Sequence, residues 1–461
     1  MSTEKKFHID MCHGPLLGKI IRFAIPLMMA NVSALMFNAA DLIVLGQYAS
    51  SSAMAAVGAA PAFTTLMLNL FWGISAGVNV LTARYIGAKD KKNVSKTVHT
   101  AIAVGCYGGV TMTIIGLFVT EPMLRLMSVP EVILKDAAIY MWIWCLGIPA
   151  MIIFSFGSAI LRSTGDTKRP LYFMIIAGIT NVLLNMFFVI VCKMEVTGVA
   201  IATKISNYLS AFLVLRTLSV SGGMCSFYWK KVKITWGIIR EMFRIGLPAG
   251  VQGMMFSISN IVIQKTLNSF GWQAIAGSTA ALSIEGMVHA AFGAYALAVV
   301  SFVGQNHGAK KYKRIMKSIW LCISCASVTA IILVVTGLIF KRQLLAIFNP
   351  DPAVVEWGTV RMDCQFTWYM LLAIMEVVLG ALRGLGYSFW PMIISLMGAC
   401  VFRVVWVWTI FPYYKTLQNL FYSYPVSWLL VNIVAGLMLY VICRNMLKRA
   451  KLRQHDDLSI K

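Results

Sequence analysis

The stretch Phe37-Asn-Ala-Ala-Asp41-Leu-Ile-Val-Leu-Gly46 places one carboxylate, Asp41, near the end of a long apolar run that begins near Ile20. A charged side chain at the centre of a membrane helix costs about 2.5–3.5 kcal/mol on insertion scales. Such a residue is retained where it faces a cavity or a partner, so we predict that Asp41 binds a proton or a cation. The alternative is that Asp41 lies high enough on its helix to reach water at the headgroups.

The composition of the chain indicates an integral membrane protein. Hydrophobic residues make up 59% of the sequence and charged residues 12%, and the charged share is about half that of a soluble domain. Apolar runs long enough to cross a hydrocarbon core of about 30 Å recur along the whole chain. The sequence therefore predicts an all-α, multi-pass membrane protein with no room for a soluble domain.

Twelve apolar segments are predicted to cross the membrane, and we number them as spans 1 to 12. They lie near residues 18–45, 54–82, 96–119, 134–160, 168–191, 195–218, 240–268, 274–303, 316–340, 355–382, 388–411 and 421–445.

The loops between the spans alternate in charge. Strongly basic loops include 84–96 and 310–317, whereas the loops 47–52 and 268–273 carry no charge. Basic residues concentrate in the cytoplasmic loops of membrane proteins. We therefore expect both termini in the cytoplasm. The net charge of +23 reflects these loops and does not indicate a nucleic-acid partner.

The second half of the chain repeats the first. Two six-helix lobes are predicted, at 1–220 and 235–445, joined by a cytoplasmic linker at 221–234 and followed by a basic tail at 446–461. Because six is an even number, the lobes form a parallel pseudo-twofold repeat, and a cavity is expected between the bundles. The recurring positions lie 221 or 222 residues apart and are Gly87 and Gly308, Arg162 and Arg383, Pro170 and Pro391, and Pro26 and Pro248.

Two of these repeated residues are prolines inside the first span of each lobe. A proline within a helix removes one backbone hydrogen bond and kinks the helix. Pro26 and Pro248 are thus predicted helix kinks, either fixed or changing during transport.

Other polar residues at membrane depth are candidates for a site with Asp41. Asn181 and Asn185 lie four residues apart on one face of span 5, and Thr203 lies in span 6. A carboxylate with amide and hydroxyl oxygens suits a proton or a hard cation such as Na⁺. The alternative is that the Asn and Thr side chains only join helices by hydrogen bonds.

The second lobe contains acids of its own. Glu285 and His289 are four residues apart in span 8, and we interpret them as a possible proton relay; they are too few for a zinc site. Glu376 is the only charge in the middle of span 10, and its candidate partners are Arg403 and Lys265. Pairing with Arg403 would make Glu376 structural, whereas an unpaired Glu376 would be a secondary coupling candidate.

Taken together, these residues and motifs resemble the MATE (multidrug and toxic compound extrusion) transporters of bacteria. The resemblance rests on the repeat, the paired Gly-Ala-Lys loops, the Leu-Arg-Gly-Leu-Gly-Tyr turn after span 10, and the stretch Gly198-Val-Ala-Ile-Ala-Thr203. It implies a cation-driven antiporter and not an enzyme. In such proteins H⁺ or Na⁺ enters while an amphipathic, often cationic drug or metabolite leaves by alternating access.

The resemblance also implies an ion site in the N-terminal lobe at Asp41, Asn181, Asn185 and Thr203. Many members of the DNA-damage-inducible branch carry Asp where this chain has Asn185. The acids that the NorM-like branch carries on helices 7 and 10 are missing from 254–258 and from near Leu372. A single acid in the N-lobe site favours H⁺ over Na⁺.

A flippase for lipid-linked saccharides, from the same broader superfamily, is the alternative function. It would more often show extra spans and a strongly basic central cavity, so twelve spans and intramembrane acids favour the antiporter. We expect no cofactor beyond the coupling ion. The expected partners are small amphipathic substrates and the lipid bilayer, with no nucleic acid, and we expect a monomer.

The topology can be tested with single cysteines and a membrane-impermeant thiol reagent in intact cells. Cysteines near Lys92, Arg169 and Lys310 should stay unlabelled because their loops are predicted to be cytoplasmic. Cysteines near Ser51 and Trp272 should label. Labelling near Lys92 from outside would overturn the arrangement of twelve spans.

Overall fold

The structure is a computed structural model that describes residues 7–48, 61–126, 131–220 and 223–459. Every regular element within these ranges is helical, which confirms the all-α prediction. The α-helices are α1 Leu16–Tyr48, α2 Pro61–Gly87, α3 Lys91–Leu126, α4 Glu131–Leu146, α5 Ile148–Ser163, α6 Lys168–Met186, α7 Glu195–Val220, α8 Trp236–Asn268, α9 Trp272–Gly308, α10 Tyr312–Ile339, α11 Lys341–Phe348, α12 Pro352–Cys364, α13 Tyr369–Gly384, α14 Phe389–Ser395, α15 Phe402–Thr409 and α16 Leu417–Ser459.

These helices supply the twelve predicted spans in order. Ten described helical segments are each long and apolar enough to cross a membrane. The pair Leu134–Leu146 and Ile148–Ser163 forms one further span, bent by 42° at Gly147. Span 4 was predicted near residues 134–160, and Pro149, directly after this break, accounts for the bend because its ring removes a backbone donor. The remaining span is α2; the start of span 2, at 54–60, lies outside the described residues.

The internal repeat is visible in the backbone itself. Lys89 and Lys310, which follow α2 and α9, both have positive φ, at 58° and 55°. Gly165 and Gly386, which follow α5 and α13, both have φ of 92°. Glycine is required at Gly165, because a Cβ there would lie 2.5 Å from the carbonyl oxygen of Ile9. Equal turns at equal spacing confirm that the two halves repeat one architecture.

The described residues form two compact units. Unit 1 comprises the described residues before Asp10 together with Met29–Gly246, and unit 2 comprises Asp10–Met28 and Leu247–Lys461. Helix α1 therefore passes from unit 2 to unit 1 after Met28, and α8 passes from unit 1 to unit 2 after Gly246. Pro26 and Pro248 lie within two residues of these points, inside helices that continue through them. The predicted boundary between the lobes, at 220–235, does not include the assignment of Asp10–Met28 to unit 2 or of the start of α8 to unit 1.

Packing within each unit accounts for the exchanged segments. In unit 2 the fully buried Phe23 of α1 makes an edge contact with Phe302 of α9, with ring centroids 5.6 Å apart. In unit 1 the backbones of α2 and α8 approach closely at Gly77 and Gly246. A Cβ on Gly77 would lie 2.4 Å from the Met242 carbonyl oxygen, so only glycine allows this approach.

The predicted linker is packed against unit 1 where the structure describes it. Phe227 is fully buried and stacks on His99 of α3, with ring centroids 5.4 Å apart. The backbone N–H of Tyr228 donates to His99 Nε2 at 3.1 Å. Thr100 Oγ1 donates to the Lys233 carbonyl oxygen at 3.2 Å. These contacts make the segment from 223 onward an ordered part of unit 1.

Candidate functional site

The four residues proposed for the N-lobe site form one hydrogen-bonded chain in unit 1. Asn185 Nδ2 donates to Asp41 Oδ1 at 2.5 Å and to Asn181 Oδ1 at 3.3 Å. Asn181 Nδ2 donates to Thr203 Oγ1 at 3.2 Å. The Thr203 hydroxyl in turn donates to the Val199 carbonyl oxygen at 2.8 Å. Three helices, α1, α6 and α7, thus meet around a single carboxylate.

A glycine on α6 positions Asp41. A Cβ on Gly178 would lie 2.0 Å from the Phe37 ring, so α1 can approach α6 this closely only where α6 lacks a side chain. Asp41 follows Phe37 by one helical turn, and residues four apart share a helix face. The close contact at Phe37 therefore brings the carboxylate to Asn185. Directly after Asn185 and Met186, α6 continues as a π-helical segment, Phe187–Val191.

The site lies beside an apolar cluster. Val44, Val189, Val196 and Val199 are buried together, with Tyr140 packed against them. Electrostatic interactions are stronger in such low-dielectric surroundings than in water. A change of charge on Asp41 therefore carries a large free-energy difference at this position.

Of the two asparagine side chains, Asn185 has a carbonyl oxygen that remains available as an acceptor. Asn185 is almost fully buried, and its Oδ1 has no hydrogen-bond partner within the described part of the chain. Amide and carboxylate oxygens are the ligands that hard cations prefer. Asp41 and Asn185 could therefore hold a proton or a small cation between them. No cluster of three or more His, Cys, Asp or Glu side chains occurs in the described ranges.

Lys204 is a residue of this site that the sequence reasoning missed. Its side chain is 7% exposed, and the Nζ lies 5.2 Å from the centroid of the Trp144 ring. The ammonium interacts electrostatically with Asp41. No described group hydrogen bonds to the Nζ. The sequence feature that could have identified Lys204 is a basic residue in the middle of span 6, next to Thr203.

Glu285 of α9 lies in a complete network within unit 2. Arg361 of α12 donates to both carboxylate oxygens, from Nε at 3.0 Å and from Nη2 at 2.9 Å. Tyr369 and Gln365 donate to Oε2 at 2.8 Å and 3.3 Å. Arg361 Nη1 also donates to Ser278 at 2.7 Å. A bidentate pair with further hydrogen bonds is the geometry that compensates best for burying two charges.

The predicted relay between Glu285 and His289 is not assembled. Glu285 is 1% exposed and faces Arg361, whereas His289 is exposed and its ring contacts Phe292. The prediction that Glu285 and His289 share one helix face was too approximate, because four residues advance an α-helix by slightly more than one turn. The neighbouring helix then decides which of the two side chains is covered.

Arg403, one predicted partner of Glu376, is engaged elsewhere. Arg403 donates from Nε to Ser427 Oγ at 2.9 Å, and its guanidinium lies 4.0 Å from the centroid of the Tyr424 ring. Lys265 is exposed on α8. The structural pairing of Glu376 with Arg403 was therefore wrong, since an aromatic face and a hydroxyl stabilise the Arg403 cation instead. Glu376 itself is half-buried in α13.

Known proteins share this architecture. A family model described as MatE matches residues 26–187 and 248–409, which together make up more than half of the chain and start 222 residues apart. The probable multidrug resistance protein YoeA of Bacillus subtilis (strain 168) is 25% identical over 382 residues, covering 81% of this chain and 82% of the relative. The FAD transporter of Shewanella oneidensis is 23% identical over 457 residues, covering 97% of this chain and 99% of that relative.

A solved structure has the same fold. The crystal structure of a MATE protein in complex with MaL6 matches with a TM-score of 0.88, covering 95% of this chain and 98% of that chain. The sequence identity is 22%. The likeness establishes the fold, two repeated six-helix halves.

The role of Glu285 can be tested by comparing two Arg–Glu pairs of unit 2. Arg361→Met should lower the free energy of unfolding by about 3–5 kcal/mol, because it leaves a buried carboxylate without its counter-charge. Arg342→Met breaks the exposed pair with Glu356, 3.1 Å apart, and should cost about 0–1 kcal/mol. Unfolding of the purified variants in detergent, by heat and by denaturant, measures the difference. Equal stability of the two variants would show that Glu285 is not held by Arg361.

Proposed function

The chain belongs to the MatE family of multi-span membrane transporters, and we propose that it is a cation-coupled antiporter exporting amphipathic, often cationic compounds. Proteins of this family are transporters and not enzymes. The relative YoeA is named a probable multidrug resistance protein. Export of drugs or related metabolites by alternating access is the function that these relationships support best.

The observation that carries the proposal is the Asp41 network. A carboxylate at membrane depth, bound by Asn185 and backed by Asn181 and Thr203, is a group whose charge changes when an ion binds. A ligand shifts a conformational equilibrium only through different affinities for the two states. Exchange of one ion at Asp41 would thus favour one access state over the other. One charge crossing about 100 mV supplies about 2.3 kcal/mol, enough for a roughly fiftyfold gradient.

We propose H⁺ as the coupling ion, with Na⁺ as the alternative. The site contains one acid, Asp41, because an amide residue stands at position 185. Sites for hard cations gain affinity from additional carboxylates, whereas a proton needs only one. We keep Glu376 as a secondary coupling candidate, since Arg403 is bound elsewhere, although Arg383 of the same helix interacts with Glu376 electrostatically.

The substrate class follows from the chemistry of promiscuous binding. Methionine is abundant, with 28 residues, and flexible thioether side chains adapt to different apolar shapes. An anionic substrate with a flat ring system is a second candidate. The relative that is named an FAD transporter, aligned over 99% of its length, favours it.

The cellular setting is proposed with the function. We expect a bacterial plasma membrane, both termini in the cytoplasm, and a monomer without a resident cofactor. The lipid bilayer and small amphipathic molecules are the expected partners.

Transport by the purified protein in proteoliposomes tests the function and the coupling ion together. Efflux of a cationic dye should follow an imposed ΔpH without Na⁺ and should stop when a protonophore is added. A Na⁺ gradient at constant pH should drive none. Strict dependence on Na⁺ would refute proton coupling, and no efflux under either gradient, for the dye or for FAD, would refute the antiporter.

A further inference from the structure

We propose that the Lys204 ammonium is the resident counter-ion of Asp41, and that it excludes Na⁺ from the N-lobe site. This inference deepens the proposed function, since it assigns a residue to the choice of coupling ion. It concerns binding of Na⁺, which is measured without transport.

Lys204 lies in unit 1, close in the chain to the residues around Asp41. Lys204 directly follows Thr203, the last member of the Asp41 hydrogen-bonded chain, on α7. Its side chain packs against Gly147 at the break between α4 and α5, where a Cβ would lie 2.2 Å from the lysine Cδ. The break at Gly147 therefore makes room for a long basic side chain at membrane depth.

Few of the described groups compensate for the buried charge of Lys204. The Nζ is buried and has no hydrogen-bond partner among the residues that the structure describes. The Trp144 ring contributes a cation–π contact at 5.2 Å. Among the described titratable groups, Cys145 of α4 and Asp41 of α1 interact electrostatically with Lys204. A neutral thiol carries no charge, so Asp41 is the anion of this site.

The net charge of Asp41 and Lys204 determines which cation the site accepts. Asp41 and Lys204 together carry no net charge, whichever of the two holds the shared proton. A Na⁺ ion entering beside them would meet no net negative charge, although the oxygens of Asn181, Asn185 and Thr203 are suitable ligands. Addition of one proton to the pair gives a net charge of +1, and its release restores neutrality. The pair can therefore carry a proton while it repels a metal cation.

Thermal unfolding of the detergent-purified protein in NaCl and in choline chloride, at equal ionic strength, tests the inference. A ligand that binds only the folded state raises Tm. The wild-type protein should unfold at the same Tm in both salts. Lys204→Met, which keeps the length of the side chain and removes its charge, should gain a Na⁺-specific rise in Tm. The double variant Asp41→Asn/Lys204→Met should lose that rise.

The control is Lys265→Met, which removes an exposed lysine of unit 2 and should behave as the wild type. A Na⁺-specific rise in the wild type that Asp41→Asn abolishes would overturn the inference. So would the absence of any Na⁺ response in Lys204→Met, provided that it unfolds cooperatively. If Lys204→Met does not unfold cooperatively, Lys204→Gln, which also removes the charge, is used for the same test. Dye efflux plays no part in this comparison, so a failure of the transport proposal is seen separately.

Discussion

Burial of charge at membrane depth is the constraint on which the rest of this structure depends. Each ionised side chain there needs a partner, because the apolar surroundings do not replace the water it loses. Unit 2 meets this demand fully at Glu285, whose carboxylate accepts four hydrogen bonds from Arg361, Gln365 and Tyr369. Unit 1 meets it only in part, since Asp41 accepts one hydrogen bond from an amide. The Lys204 Nζ has a cation–π contact with Trp144 but no described hydrogen-bond partner.

The two units therefore differ in whether their buried acid can change its protonation state: Glu285 is held in a fixed charge pair, whereas Asp41 is not. Breaking the Glu285 network would leave two buried charges, so its geometry favours one protonation state and one arrangement. The Asp41 carboxylate has one described hydrogen bond and interacts electrostatically with Lys204. A proton can be added there without removing a set of mutually dependent contacts. The repeated fold thus contains one lobe with a complete buried ion pair and one with an incomplete site.

The sequence predicted the helical class, the twelve spans, the repeat, and the grouping of Asp41 with Asn181, Asn185 and Thr203, because apolar length and repeated motifs are local properties. It did not predict that Arg361, 76 residues from Glu285, would face that acid, since helix periodicity does not say which helix lies opposite. The same gap produced the wrong relay to His289 and the wrong pairing of Glu376. Lys204 was not predicted as part of the site, because the sequence does not show that its side chain reaches Gly147 and Trp144 of the neighbouring helices.

Dye efflux by Asp41→Asn is the most direct test of the central claim that Asp41 exchanges the coupling ion. Asparagine keeps the shape and can still accept the hydrogen bond from Asn185, but it cannot change charge. Because Lys204 then loses its anion, efflux must be normalised to membrane-inserted protein, with Asp363→Asn, an exposed acid, as control. The account predicts that Asp41→Asn inserts yet fails to export the dye, while Asp363→Asn exports normally. Full ion-driven export by Asp41→Asn would contradict it.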